Sequence, residues 1–234
     1  MAKLPVLMYH NVTDKLLKIE KLTIDVNYLE QQFSYLKANG YQTYHLKELE
    51  GLTTINKKSV VITFDDVTLN QKEFVMPLLK KYNLKATFFI PFAYLGLTDQ
   101  WNEGVEPIMS IADLKELDDL VEFGHHSYRH RAYDSLSSSE IKDDFDACYS
   151  ICENNNLNVY GAVAYPYGNF PKREPHKSAF FVEMKKNNMK LGLRIGNKLN
   201  SFPFANPYEI MRIDVRGNEK MWKFKLNLKF GKLF

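Results

Sequence analysis

Apolar residues recur along the chain in two alternating rhythms. In residues 4–9, 59–64, 86–90, 121–123, 161–165, 191–195 and 210–214 they form short, nearly continuous runs, the pattern of buried strands. Between these runs the spacing changes. Residues 25–39 place Val26, Leu29, Phe33 and Leu36 at helical intervals and stop at Gly40, a residue suited to a helix C-terminus. Residues 71–82, 110–120 and 176–188 read as further helices, and Ser137-x-x-Glu140 is a capping box that opens a helix running through Cys152. Strand and helix in alternation predict a parallel sheet, and about seven such units suit a closed barrel. No repeat, linker or break in composition divides the chain before residue 216, so residues 1–234 are expected to form a single domain.

The end of the chain has its own pattern. From Met221 onward Lys223, Lys225, Asn227 and Lys229 alternate with Phe224, Leu226, Leu228 and Phe230, and residues 216–234 hold six basic residues and one acidic. A period of two predicts a half-buried strand lying on the barrel. The sharper alternative is a basic, aromatic tail making peripheral contact with an anionic membrane.

Composition narrows the class of protein. At 45% hydrophobic and 25% charged residues over 234 positions, the chain has an ordinary globular make-up and can bury a core. A net charge of +3 is too small to argue for nucleic acid, and no nucleic-acid-reading motif is present. The N-terminal residues lack the apolar core and cleavage site of a signal peptide, and no run approaches a membrane span, which favours a cytoplasmic location. A removed signal sequence would leave the same trace. Cys148 and Cys152 are four residues apart in one predicted helix, two thiols on one face instead of a disulfide framework.

Two adjacent aspartates, Asp65 and Asp66, close the apolar run 60–64, and His126 and His130 follow a later one. Buried neighbouring carboxylates call for a proton or a cation. Asp66, His126 and His130 make a one-carboxylate, two-imidazole set that suits zinc or its first-row neighbours and leaves positions open for water. Asp65 is then left over as a carboxylate where a general base belongs. Taken alone, an Asp-Asp pair is a turn or a helix cap, and a His-x-x-x-His is a helical surface pair. Their joint placement after strands argues for a site, because strand ends of a barrel share one mouth.

Thr63-Phe64-Asp65-Asp66 and His126-Ser127-x-x-His130 resemble the first two motifs of the polysaccharide deacetylase family, the NodB-homology group also called carbohydrate esterase 4. The resemblance implies a distorted (β/α) barrel, with Asp65 as base and Asp66, His126 and His130 around one divalent metal ion, Zn²⁺ before Co²⁺, Ni²⁺ or Mn²⁺. The family's third motif, Arg-x-Pro-Tyr/Phe, reads here Ala164-Tyr165-Pro166-Tyr167-Gly168 without its arginine, and no histidine follows residue 190 to act as the usual acid. Met8-Tyr9-His10, Ala-Tyr-Pro-Tyr-Gly and Met211-Arg212-Ile213-Asp214-Val215 are similar to the branch containing the poly-β-1,6-N-acetylglucosamine deacetylases. That branch implies His10 as the acid, and the family's third motif implies the Tyr167 backbone N–H as oxyanion donor with Tyr165 at the substrate; Arg212 or Arg194, each in a strand-like run, is the candidate to orient Asp65 in place of the missing arginine. His125 is expected on the opposite side of its strand from His126, in a supporting or rim position. Trp101, Tyr128, Tyr133 and Tyr167 offer faces on which sugar rings could stack.

The implied activity is metal-dependent removal of N-acetyl groups from amino sugars in a glycan or glycan precursor. The same site would also serve a non-sugar amide or an O-acetyl ester. A catalytically impaired relative that only binds metal or glycan draws its support from the missing arginine. Oligomeric state is not legible in the sequence.

Overall fold

The computed structural model describes residues 2–15 and 22–232, and within them seven parallel strands close on themselves. They are β1 (Val6–Tyr9), β2 (Ser59–Asp65), β3 (Ala86–Ile90), β4 (Val121–His125), β5 (Val159–Ala164), β6 (Leu191–Ile195) and β7 (Ile210–Asp214). Each pairs with the next, and β1 completes the ring by pairing with both β2 (Met8 opposite Thr63) and β7 (Met8 opposite Asp214). The ring is uneven. A short strand, Gln42–Thr43, also pairs with the start of β2, and β4 and β5 shift register between Phe123 and His125. The chain is thus a single-domain distorted (β/α) barrel.

Side chains alternate across the barrel wall, as strand geometry requires. Val61, Phe89, Ala162, Ala164, Leu193 and Ile210 pack inside with Leu4, Leu46, Leu49 and Phe202, which fill the end where the strands begin. Leu7, Val60, Ile62, Phe64, Phe88 and Ile213 point outward to the surrounding helices. The wall is tight at two glycines. A Cβ on Gly124 would meet the Phe89 ring at 2.6 Å, and one on Gly192 would overlap the Tyr165 hydroxyl, which donates to the Tyr208 carbonyl at 2.9 Å.

Six α-helices surround the barrel among the described residues: α1 (Val26–Ala38), α2 (Met76–Tyr82), α3 (Ile111–Lys115), α4 (Ser138–Asn155), α5 (His176–Lys186) and α6 (Met221–Phe230). Asp25 caps α1 by accepting from the Asn27 and Tyr28 backbones, and Leu29, Phe33 and Leu36 form its buried face. Ser137 and Glu140 close the expected capping box on α4.

Three elements depart from the sequence reading. The helix expected over 71–82 opens with a wider π-type segment, Gln71–Val75, before α2, because Pro77 has no N–H to continue the ordinary ladder. The one expected over 110–120 stops at Lys115, where the Asp118 carboxylate accepts the Leu120 N–H and holds a turn instead. The tail is a helix, not a strand. Its apolar residues at even positions include Phe224 and Leu228, four apart, so the same pattern satisfies one helix face, and these two are the ones buried. Leu233 and Phe234 lie outside the described residues.

Close packing at the wall makes a simple prediction. Gly192→Ala should destabilise the fold by about 1–3 kcal/mol, the cost of overpacking a filled interior. Urea unfolding checks it, and an unchanged midpoint would mean Tyr165 does not occupy that space.

Candidate active site

Inward-facing positions of β2 and β7 carry charge into the barrel. Asp65 and Arg212 are 2% and 1% exposed, and the guanidinium meets the carboxylate with two parallel bonds, Nη1–Oδ1 at 2.6 Å and Nη2–Oδ2 at 2.8 Å. Such a fork fixes the plane of the carboxylate as well as its charge. Burial alone would raise the Asp65 carboxyl, but Arg212, then His126 and His10, outweigh it and hold it well below the usual carboxylate range. Of the two arginines expected to orient Asp65, Arg212 is thus the one that pairs with it. Arg194 does not share this role: its Nη1 donates to the Ile195 carbonyl.

Immediately after β2 the backbone turns into the left-handed region, φ 76° at Asp66 and 43° at Val67. The turn lets two consecutive carboxylates serve one mouth, since an extended strand would send them to opposite faces. Ser127, His130 and Tyr167 also have φ between 51° and 60°. Backbone of this kind is costly for residues with side chains and gathers where a site over-determines it.

Asp66, His126 and His130 converge, with one ligand atom from each within 4.8 Å of the others. His126 Nδ1 lies 2.8 Å from the Ala164 carbonyl, so it is the donor and Nε2 keeps its lone pair toward the site. His126 Nε2 and His130 Nε2 each lie 3.4 Å from Asp66 Oδ1, yet this buried oxygen has no hydrogen-bond partner. Burial pushes the His126 ring down to about 4 against the pull of Asp65, leaving it neutral at ordinary pH. Burial raises Asp66, but His130 and His126 outweigh it and keep its carboxyl below the ordinary value. An orphaned carboxylate oxygen facing two imidazole nitrogens is a donor set that suits a divalent cation, and the three residues fit one.

His10, at the end of β1, places Nε2 3.6 Å from Asp65 Oδ2. It lines the same cavity as Asp66, Trp101, Asn102, Tyr167 and Asn218, about 670 Å³ in volume. Gln71, fully buried, was missed by sequence reasoning. Its amide donates to the His10 carbonyl at 3.0 Å and to the Asp65 carbonyl at 2.6 Å, tying the ends of β1 and β2 together. A polar residue on the inner face of an otherwise apolar helical segment was the available signal.

Several expected roles change. Tyr165 is fully buried against Tyr133, Phe170 and Phe180, so it supports the wall and does not meet substrate. Trp101 stacks on the His130 ring, centroids 4.0 Å apart, and the Tyr167 hydroxyl sits 3.2 Å from His130 Nδ1, so both rings hold a histidine. Tyr133 is buried and donates to Asp144 at 3.1 Å, which rules it out as a sugar platform. His125 does point away from His126, but into packing with Phe92, Phe145 and Tyr149 instead of to the rim. Asp144 accepts the Tyr128 N–H at 2.8 Å and anchors the segment between the two site histidines.

Known proteins of similar sequence and shape can be set beside this geometry. The polysaccharide deacetylase family model matches residues 53–179. YxkH of Bacillus subtilis, whose own assignment as a polysaccharide deacetylase is provisional, is 26% identical over 177 residues, 72% of this chain and 58% of that protein. The poly-β-1,6-N-acetyl-D-glucosamine N-deacetylase of Staphylococcus epidermidis is 26% identical over 212 residues, 84% of this chain and 69% of that one. Among solved structures, the Streptococcus pyogenes deacetylase PplD, determined with acetate, superposes with a TM-score of 0.79 at 23% identity, covering 97% of this chain and 98% of that one. IcaB from Ammonifex degensii gives 0.77 at 20% identity, covering 98% and 97%. These structures share the fold.

Two measurements probe the buried charges. Arg212→Met should destabilise the metal-free protein by about 3–5 kcal/mol, because Asp65 is left buried and unpaired. In the double variant with Asp65→Asn the loss should be well below the sum of the single losses, and additive effects would contradict the pairing. Burial pushes Asp144 up to about 6, against its bond from the Tyr128 N–H. Its contribution to stability is full below the unfolded value of about 3.9 and is lost as pH rises through about 6. Asp144→Asn should flatten that stretch of the urea-midpoint profile, whereas an unchanged slope would assign the titration elsewhere.

Proposed function

Because this chain belongs to the polysaccharide deacetylase family, we propose that it hydrolyses the N-acetyl group of an amino sugar within a glycan or glycan precursor, in a metal-dependent reaction. The observation that carries this reading is the convergence of Asp66, His126 and His130 beside Asp65, whose carboxylate Arg212 holds ionised and oriented.

Asp66 Oδ1 and the Nε2 atoms of His126 and His130 would hold the cation, with Zn²⁺ best suited to a mixed oxygen and nitrogen set. When bound, such an ion supplies Lewis acidity toward the acetyl carbonyl and raises the acidity of water. Asp65 takes the proton of the attacking water at a carboxylate oxygen while the new C–O bond forms. Arg212 keeps that carboxylate in the plane needed for the transfer. The Tyr167 backbone N–H, at the left-handed turn after β5, would donate to the developing oxyanion. His10 gives its proton to the amine nitrogen as the C–N bond breaks, and acetate and the free amino sugar leave. The Arg212–Asp65 pair speaks against an impaired relative, whose support lay in the missing arginine.

The choice of glycan class follows the Staphylococcus epidermidis relative, a poly-β-1,6-N-acetyl-D-glucosamine N-deacetylase. Acetate release from N-acetylglucosamine oligomers with added zinc tests it. Asp65→Asn should lose activity by roughly 10²-fold or more, and His10→Ala by a similar order, with metal content unchanged in both. Full turnover by a clean Asp65→Asn preparation would end the base assignment. Release from simple acetyl esters but never from amino sugars would move the substrate to the ester class.

A further inference from the structure

Helix α6 turns only part of its surface inward. Phe224, Asn227 and Leu228 are buried, with Phe224 edge-on to Tyr35 of α1. The opposite face carries Trp222, Leu226 and Phe230, exposed by 60, 38 and 59%. Spaced four residues apart, they form one apolar stripe along the helix. Lys225 and Lys229 border it on one side and Lys223 on the other, while Lys220 and Lys232 stand at its ends.

Residues 220–232 contain no acidic side chain. The preceding Glu219 is buried, and it engages Lys223 at 3.5 Å and Lys232 at 3.0 Å. Lys220, Lys225 and Lys229 enter no ion pair among the described residues, and the Lys225 ammonium lies over the Tyr35 ring at 4.9 Å. The outer face is therefore aromatic along its centre, with unpaired positive charge along the margin of Lys225 and Lys229 and at Lys220, and the Glu219-paired Lys223 on the other side.

An exposed stripe of two large aromatics and a leucine marks a surface that something covers. A second copy packed symmetrically on the stripe would set its lysine rows against like charge with no carboxylate to meet them. A surface of clustered phosphates with an apolar layer beneath matches both features, and Trp, Phe and Leu flanked by lysines are the composition of an interfacial helix. No described helix is long and apolar enough to cross a membrane, so any such contact is peripheral.

We propose that the outer face of α6 docks on an anionic lipid surface, with Trp222, Leu226 and Phe230 entering the headgroup boundary and the flanking lysines meeting lipid phosphates. Trp222, Lys220 and Lys223 line a cavity of about 640 Å³ together with Asn218, and Asn218 also lines the cavity before His10 and Asp66. The docked face thus adjoins the barrel mouth. This inference stands independently of the reaction, since binding is read without chemistry.

Flotation of the full chain with phosphatidylcholine vesicles, with and without about a third phosphatidylglycerol, tests it. Binding should require the anionic lipid and fall away as salt rises to about 0.5 M. Lys225→Gln with Lys229→Gln should weaken partitioning about 25-fold, about fivefold for each lysine. Trp222→Ser with Phe230→Ser should weaken it by about tenfold or more, because the apolar stripe is lost. Both pairs are on the exposed face, so circular dichroism and urea midpoints should match the parent. Absence of flotation, or equal binding to neutral vesicles, would overturn the proposal. So would a dimer in light scattering that Trp222→Ser with Phe230→Ser dissociates, which would assign the stripe to a second copy.

Discussion

Asp65 and Asp66 are adjacent, buried and acidic, and bulk water cannot neutralise them. Each needs its own counter-charge. Asp65 continues the inward face of β2 and finds Arg212, two strands away round the ring, through a bidentate pair. Asp66 is swung back by its positive φ and faces His126 and His130 instead. The division gives the two carboxylates different chemistry. One is already paired with a fixed cation; the other keeps an unpartnered oxygen that faces two imidazole nitrogens.

Other features follow from keeping that arrangement. Closure of the barrel brings β7 beside β1 and β1 beside β2, which is the route by which Arg212 reaches Asp65. Gln71 ties the two strand ends where His10 and Asp65 emerge. Trp101 and Tyr167 brace His130 from its face and its Nδ1, and Ala164 fixes the tautomer of His126. The third-motif position carries no arginine, and the guanidinium that pairs with Asp65 comes from β7.

Much of this was legible in the sequence because it rests on local pattern. The apolar runs of β2, β3, β6 and β7 and the capping box of α4 are short-range signals, and the Asp-Asp and His-x-x-x-His spacings carried the site. What was not legible depends on partners distant in sequence. Whether Arg212 or Arg194 meets Asp65 turns on strand phase, and only the inward position of Arg212 decides it. Tyr165 and Tyr167 are two residues apart in one motif, yet one fills the wall and the other reaches His130, where the backbone turns left-handed at Tyr167. The tail misled for a plain reason: an alternating pattern contains i, i+4 pairs, and packing of Phe224 and Leu228 selected the helix.

One cation shared by Asp66, His126 and His130 is what the proposed reaction requires. Anomalous diffraction from zinc-soaked crystals, recorded on both sides of the zinc edge, tests this most directly. The predicted result is a single strong peak about 2.0–2.2 Å from Asp66 Oδ1 and from Nε2 of His126 and of His130, with Asp65 outside the coordination shell and still paired to Arg212. A peak elsewhere, or none at the three residues when zinc is in excess, would contradict it.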